Sequence, residues 1–293
     1  MAFFDFLKRK KKIKLGIAFG GGGARGFAHL GVIKAFEENN ISFDVVAGTS
    51  VGSIIGALYA NGMTADEMIK IGLNLKTKDI KTNKVFFMPS KTDGIENLIK
   101  NAVGDIDITE LKKPFIAVAV DIISGKEIHI TKGNLAKACA GSCAIPGVFN
   151  YVEFDKYRLL DGGLQNTIPA DVLRNEGCNF VVSVDVNPTR GQGTESTKLI
   201  DILSASLGIV MKSNAVKGKL FSDVFIQTNT QNFKSTSLFG GEEMIKIGYD
   251  AAIKAMPQIK LLLGLEKERK SQKMFSKNKN KILKEDKNNS INE

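Results

Sequence analysis

The segment from Asp44 to Leu58 constrains this chain more than any other. A short apolar run, Val45-Val46-Ala47, meets the pentapeptide Gly48-Thr49-Ser50-Val51-Gly52, and small residues at helical spacing follow at once. Strand, G-x-S-x-G and helix in that order form the layout of a nucleophile elbow. Gly48 and Gly52 have no side chain to clash in so sharp a turn. Ser50 is then held at the tip with its hydroxyl exposed and a helix N-terminus beneath it. Ser50 is the candidate nucleophile. Chance matches to the pentapeptide are expected in a chain with 29 glycines, so the surrounding pattern must carry the weight.

A chain of 293 residues with 43% hydrophobic content suits one large α/β domain or two small ones with a proper core. No segment offers the roughly 18 uninterrupted apolar residues of a membrane-spanning helix. The first apolar residues, Phe3, Phe4, Phe6 and Leu7, precede the basic run instead of following it, the reverse of a secretory signal. The expectation is an intracellular, cytoplasmic protein. Cys139, Cys143 and Cys178 are too few and wrongly spaced for a disulfide framework or a zinc site, and read as small core residues.

The net charge of +10 sits at the two ends. Residues 1–14 carry six basic side chains against Asp5, and residues 266–293 carry nine against five acids, so little is left for the body between. This argues against a nucleic-acid platform. The N-terminal arm, residues 1–14, has two readings: a solvated, frayed terminus, or a phenylalanine-led cationic segment that touches an anionic membrane surface as a peripheral anchor. Beyond Leu265 lysine and asparagine rise and aromatics nearly vanish, so residues 266–293 read as a disordered basic tail around a domain of residues 15–265.

Within that domain, the strand pattern Ile13 to Phe19 runs into Gly20-Gly21-Gly22-Gly23-Ala24-Arg25-Gly26, and a helical pattern follows from Phe27. Strand, glycine loop and helix point bare backbone N–H groups at an anion. A P-loop is excluded, because no Lys-Ser or Lys-Thr closes the loop. A dinucleotide site needs an acid at the end of the second strand, and Asp44 precedes that strand. The favoured reading is an oxyanion hole beside Ser50. For Arg25 two roles stay open: neutralising a phosphate, or holding the loop by hydrogen bonds.

Further along, Asn61-Gly62 marks a helix stop and Thr64 to Glu67 a capping box. Residues 76–94, lysine-rich around Phe86, Phe87 and Met88, read as a surface loop or as a flap with an apolar tip. Pro114 to Ile130 reads as two strands joined at Ser124-Gly125, followed by a helix from Asn134 to about Gly141. Next come Ser142-Cys143-Ala144-Ile145-Pro146-Gly147-Val148-Phe149 and a strand that exits at Asp161-Gly162-Gly163, an Asp-Gly turn by itself or a carboxylate presented at the sheet edge of the elbow. Strand 180–186, a helix through 196–213, strand 224–228 and a helix from Glu242 complete an α/β alternation, which argues for a mostly parallel sheet sandwiched by helices.

The glycine loop Gly21 to Gly26 with Arg25, the pentapeptide Gly48 to Gly52, and Asp161-Gly162-Gly163 stand in one order. In this the chain resembles the bacterial branch of the patatin-like phospholipases, over residues 15–190 and more weakly to about 265. The resemblance implies a three-layer α/β/α fold and hydrolysis of lipid acyl esters by a Ser-Asp dyad without histidine. By position it makes Ser50 the nucleophile, Asp161 the base and Gly21, Gly22 and Gly23 the oxyanion donors.

The residues support a dyad independently. Only two histidines occur, His29 and His129, and neither follows Asp161, so the Ser, acid, His order of an ordinary α/β-hydrolase is not available. His29 is expected to pack or cap in the first helix. A reference carboxylate pKa near 3.9 suits a serine hydroxyl poorly, and desolvation in a lipid-filled cleft would raise it. The expected activity is acyl-ester hydrolysis on phospholipid or a related lipid through an acyl-enzyme, with no metal and no cofactor. The alternatives are a lipid acyltransferase and a non-catalytic lipid-binding regulatory protein.

Overall fold

A computed structural model of the protein describes residues 13–76, 90–187 and 199–264, together with Asp79, Glu195 and Thr197. The arm up to Lys12, most of the 76–94 loop and the basic tail lie outside the described residues.

The elbow segment forms as its sequence requires. Val45–Thr49 is strand β2, buried throughout, next to β1 at Leu15–Phe19. Helix α1 covers Phe27–Glu38, α2 covers Val51–Ala60 and α3 covers Ala65–Asn74. Helix α3 opens on the expected capping box: Thr64 accepts from the Glu67 amide, and the Glu67 carboxylate accepts the Thr64 N–H at 2.8 Å. Helix α4, Asp93–Val103, leads to the antiparallel pair β3, Phe115–Asp121, and β4, Lys126–Ile130, joined at Gly125. Asn134 caps helix α5, Leu135–Ser142, by accepting the Lys137 N–H at 3.0 Å. Strands β5, Val152–Phe154, and β6, Tyr157–Asp161, form a hairpin. Helix α6, Ala170–Asn175, strand β7, Phe180–Asp185, helix α7, Leu199–Leu220, strand β8, Val224–Gln227, and helix α8, Gly241–Leu262, follow among the described residues.

Among the described residues the strands build one eight-stranded sheet whose pairing path is β5-β6-β3-β2-β1-β7-β8, with β4 on β3. The run β3-β2-β1-β7-β8 is parallel throughout. Strands β4, β5 and β6 are antiparallel additions at one side. Residues of one strand parity, Ala18, Val45, Ala47, Ile116, Val118 and Val181, pack with Ala170, Val172 and Leu173 of α6 and Ala215 of α7. The opposite parity meets the other helices: the Phe19 ring lies edge-on to His29 of α1 and Tyr59 of α2, at 5.1 and 6.3 Å. Helices thus cover both faces, giving three layers around a mostly parallel sheet.

By compactness the chain divides into Met1–Ala252 and Ile253–Glu293. The first unit holds the whole sheet. Within the second, the described residues are helical as far as Leu262.

One pairing decides where the site lies. Val118 of β3 pairs with Thr49 and with His129, whereas the next residue, Ala119, pairs with Asp161 and with Ile128. His129 and Ile128 belong to β4 on one edge of β3, so β2 and β6 share the other edge. They run towards each other and end on consecutive rungs. An acid at the exit of an apolar strand before two glycines predicts a carboxylate at the sheet edge of the elbow. The two strand ends stand head to head against the middle of β3.

Candidate active site

Ser50 stands between β2 and α2 with φ 53 and ψ −131, a backbone conformation that residues with a Cβ rarely adopt. The surroundings hold it there. The Ser50 N–H donates to Ser142 Oγ at 2.9 Å. The Ser50 carbonyl accepts from the Ser53 amide and the Ser53 hydroxyl, each at 2.7 Å. A Cβ at Gly48 would strike the Gly52 carbonyl, and one at Gly52 would strike the Phe19 carbonyl, so the turn closes only with glycine at both places. Gly26 closes the short 3-10 turn Gly23–Gly26, and its bare α-carbon faces Val51, seating the glycine loop on the elbow helix. Cys139, Cys143 and Cys178 are buried and free, as expected of core thiols.

Asp161 ends β6 fully buried. Its Oδ1 accepts the Gly163 N–H at 2.8 Å, and Oδ2 accepts no hydrogen bond among the described residues. Burial pushes the carboxyl up to about 6, partly offset by the Ser50 hydroxyl and the Gly163 amide, which favour the ionised form. The Ser50 hydroxyl favours the ionised carboxylate, and no hydrogen bond reaches Oδ2 from it among the described residues. Gly162 sits so close to the Val118 carbonyl that a side chain would collide with it. Gly163 faces Met211 of α7.

The glycine loop runs directly beside Ser50, since a Cβ on Gly21 would lie 3.2 Å from the Ser50 Cβ. The expectation that Gly21, Gly22 and Gly23 all offer free amides needs one correction. The Gly21 N–H already donates to the Thr167 carbonyl at 3.0 Å, because the loop must anchor to the segment after β6 before it can turn. Among the described residues no acceptor meets the N–H of Gly22 or Gly23. Arg25 is buried, and two of its contacts tie the loop to neighbouring segments. Its Nε–H donates to the Phe233 carbonyl at 2.9 Å and its Nη1 to Asn187 Oδ1 at 3.4 Å. Burial lowers the guanidinium pKa, opposed by Asp185. Asn187 completes the brace, with Nδ2 donating to the Gly21 carbonyl at 2.7 Å.

Neither histidine reaches the pair. His29 is completely buried, with its ring nitrogen Nε2 2.8 Å from the Gly20 carbonyl. A carbonyl can only accept, so the proton is on Nε2. Burial lowers the ring to about 4 and keeps it neutral. His129 pairs with Glu127 at 2.7 Å on β4, across β3 from Asp161.

Motif spacing did not reveal Ser142, Ser53, Asn166, Thr167 or Asn187. Asn166 receives the Thr49 hydroxyl on its carbonyl at 2.8 Å and so steadies the base of the elbow. These residues act through contacts between segments distant in sequence. A lone serine, threonine or asparagine carries no local signature of that. A cavity of about 400 Å³ lined by Glu37, Tyr59, Met63 and Lys113 lies at the far end of α2 and takes no part in the site. No group of His, Cys, Asp or Glu among the described residues could hold a metal ion.

A family model described as patatin-like phospholipase matches residues 17–174. An uncharacterised NTE family protein of Mycobacterium bovis is 32% identical over 181 residues, 59% of this chain and 49% of its own length. Patatin-like phospholipase domain-containing protein 7 of Mus musculus is 32% identical over 235 residues, covering 73% of this chain and 16% of that protein. The chain thus spans about half or less of the length of these curated relatives. Among solved structures, VipD from Legionella pneumophila superposes with a TM-score of 0.52 at 14% identity, over 84% of this chain and 67% of the other, a likeness of fold.

Proposed function

The chain belongs to the patatin-like phospholipase family, and we propose that it is a serine acyl hydrolase that cleaves acyl esters of phospholipids or related lipids with Ser50 as nucleophile and Asp161 as base. The observation that carries this reading is the end-to-end meeting of β2 and β6 on Val118 and Ala119, which brings an elbow serine to a buried, half-satisfied carboxylate.

On this reading Asp161 takes the Ser50 hydroxyl proton as Oγ bonds to the ester carbonyl carbon. The carbonyl oxygen becomes an oxyanion, which receives the amides of Gly22 and Gly23, each donor contributing about 2.7–4 kcal/mol. The C–O bond to the alcohol then breaks, and the proton held by Asp161 leaves with the alcohol. Water attacks the acyl-Ser50 ester, gives a proton to Asp161, and the fatty acid departs as that proton returns to Ser50 Oγ. A carboxylate raised to about 6 is a stronger base than a solvated one and is still ionised at neutral pH. The activity is assigned to residues 15–265.

Purified protein should release fatty acid from a phospholipid and should be labelled by a fluorophosphonate. Ser50→Ala should do neither while keeping its circular dichroism spectrum. Hydrolysis that survives in Ser50→Ala would end this assignment. For the arm, six basic residues and three phenylalanines within residues 1–14 support contact with anionic membrane. Deleting residues 1–12 should weaken salt-sensitive flotation with anionic vesicles, and unchanged flotation would reject that contact. Among the described residues no helix is long and apolar enough to cross a membrane.

A further inference from the structure

The backbone amides of both reacting residues are tied to one short segment at the end of α5. Ser142, fully buried, accepts the Ser50 N–H at 2.9 Å and donates its own hydroxyl proton to the Val118 carbonyl at 2.6 Å. Two residues on, the Ala144 carbonyl accepts the Asp161 N–H at 3.0 Å. Val118 is the β3 residue that pairs with Thr49, immediately before the rung occupied by Asp161. We propose that Ser142 is a positioning residue of the acyl-transfer reaction: its hydroxyl locks the strained Ser50 backbone to β3, and the Ser142–Ala144 segment sets the spacing between nucleophile and base.

The chemistry of the position is narrow. The side chain must accept from an amide and donate to a carbonyl at once, in a site without water access, and in so small a space only a hydroxyl does both well. Ser50 adopts φ 53, a conformation that persists only where its surroundings over-determine it. Ser53 restrains the Ser50 carbonyl, and Ser142 restrains the amide on the other side of the same α-carbon. Loss of the Ser142 hydroxyl frees that amide and lets the nucleophile turn relative to Asp161 and the glycine loop. Misplacement on the scale of an ångström costs on the order of a hundredfold in rate. Substrate binding does not involve Ser142, which is sealed beneath the elbow.

This proposal rests on Ser50 being the nucleophile, and the test separates the two. Hydrolysis and fluorophosphonate labelling are measured for the parent, Ser50→Ala and Ser142→Ala, each at least ten degrees below its own melting temperature. Ser142→Ala should lower kcat and the labelling rate by about 10- to 100-fold with KM within about threefold. A purely structural role would lower the melting temperature and leave kcat intact. If Ser142→Ala does not fold, Ser142→Cys, close in shape but a weak hydrogen-bonding group, should show the same split between kcat and KM. With Ser50→Ala inactive, a folded Ser142 variant whose kcat and labelling rate stay within threefold of the parent overturns the proposal. If Ser50→Ala remains active, it is the nucleophile assignment that fails.

Discussion

His29 donates its Nε2–H to the carbonyl oxygen of Gly20 at 2.8 Å, at the head of the glycine loop, and its other ring nitrogen, Nδ1, is buried with no hydrogen-bond partner among the described residues. A neutral ring so placed steadies the loop and has no path to Ser50. The double variant His29→Gln, His129→Gln should therefore hydrolyse an activated ester within about tenfold of the parent, because glutamine retains a donor of similar reach. A histidine general base would cost roughly 10²- to 10⁴-fold. Steady-state kinetics on a variant of normal melting temperature decides between them.

Two buried groups, His29 and Asp161, should pull stability in opposite directions with pH. His29 is lowered from 6.5 to about 4 in the fold, so the unfolded chain binds the proton first. Its contribution is complete above pH 6.5 and is lost as pH falls towards 4. Asp161 is raised from 3.8 to about 6, so the folded state binds the proton more tightly. Its charged form costs stability above pH 6, a cost that disappears as pH falls through 3.8. Asp161→Asn should abolish turnover yet raise stability at pH 8 by about 2–3 kcal/mol, with no gain below pH 4. His29→Gln should flatten the acid side between pH 6.5 and 4. Urea unfolding at several pH values measures both.

Turnover should carry the Asp161 titration directly. The base must be ionised to accept the Ser50 proton, so kcat/KM should fall about tenfold per pH unit below an apparent pKa near 6, well above the ordinary range of an aspartate. An acid limb near 4 would remove Asp161 from the role of base.

Asn187 braces the glycine loop through the Gly21 carbonyl and the Arg25 guanidinium. Asn187→Ala should cost about 1–3 kcal/mol in stability, because it takes from the Gly21 carbonyl the donor that Asn187 Nδ2 supplies. It should also lower kcat by about 10- to 100-fold as the Gly22 and Gly23 amides lose their aim. Unchanged kcat in the folded variant would separate the brace from the chemistry.

Local rules account for much of this molecule. β-Branched residues ahead of Gly48 make β2, Thr64 and Glu67 start α3, and Asn134 starts α5 where the helical pattern begins. These features depend on neighbours within a few residues, so the sequence shows them. Boundaries shifted where packing prolonged an element: the helix expected over 196–213 runs from Leu199 to Leu220, and its Met211 carbonyl accepts the Thr167 hydroxyl at 2.6 Å beside the Asp161 turn.

By itself the sequence determined that an elbow serine, a glycine loop and an aspartate at a strand end occur in one α/β chain, because each is a local arrangement of backbone and side chain. Only the tertiary structure decided how they meet. Two strands from opposite directions had to end on consecutive residues of β3, with Ser142 reaching from α5 to lock Ser50 to Val118. It also decided which loop amides are spent on anchoring, since the Gly21 N–H is taken by Thr167. Pairing register and hydrogen-bond partners between distant segments are set by packing of the whole sheet, and no short window of sequence contains them.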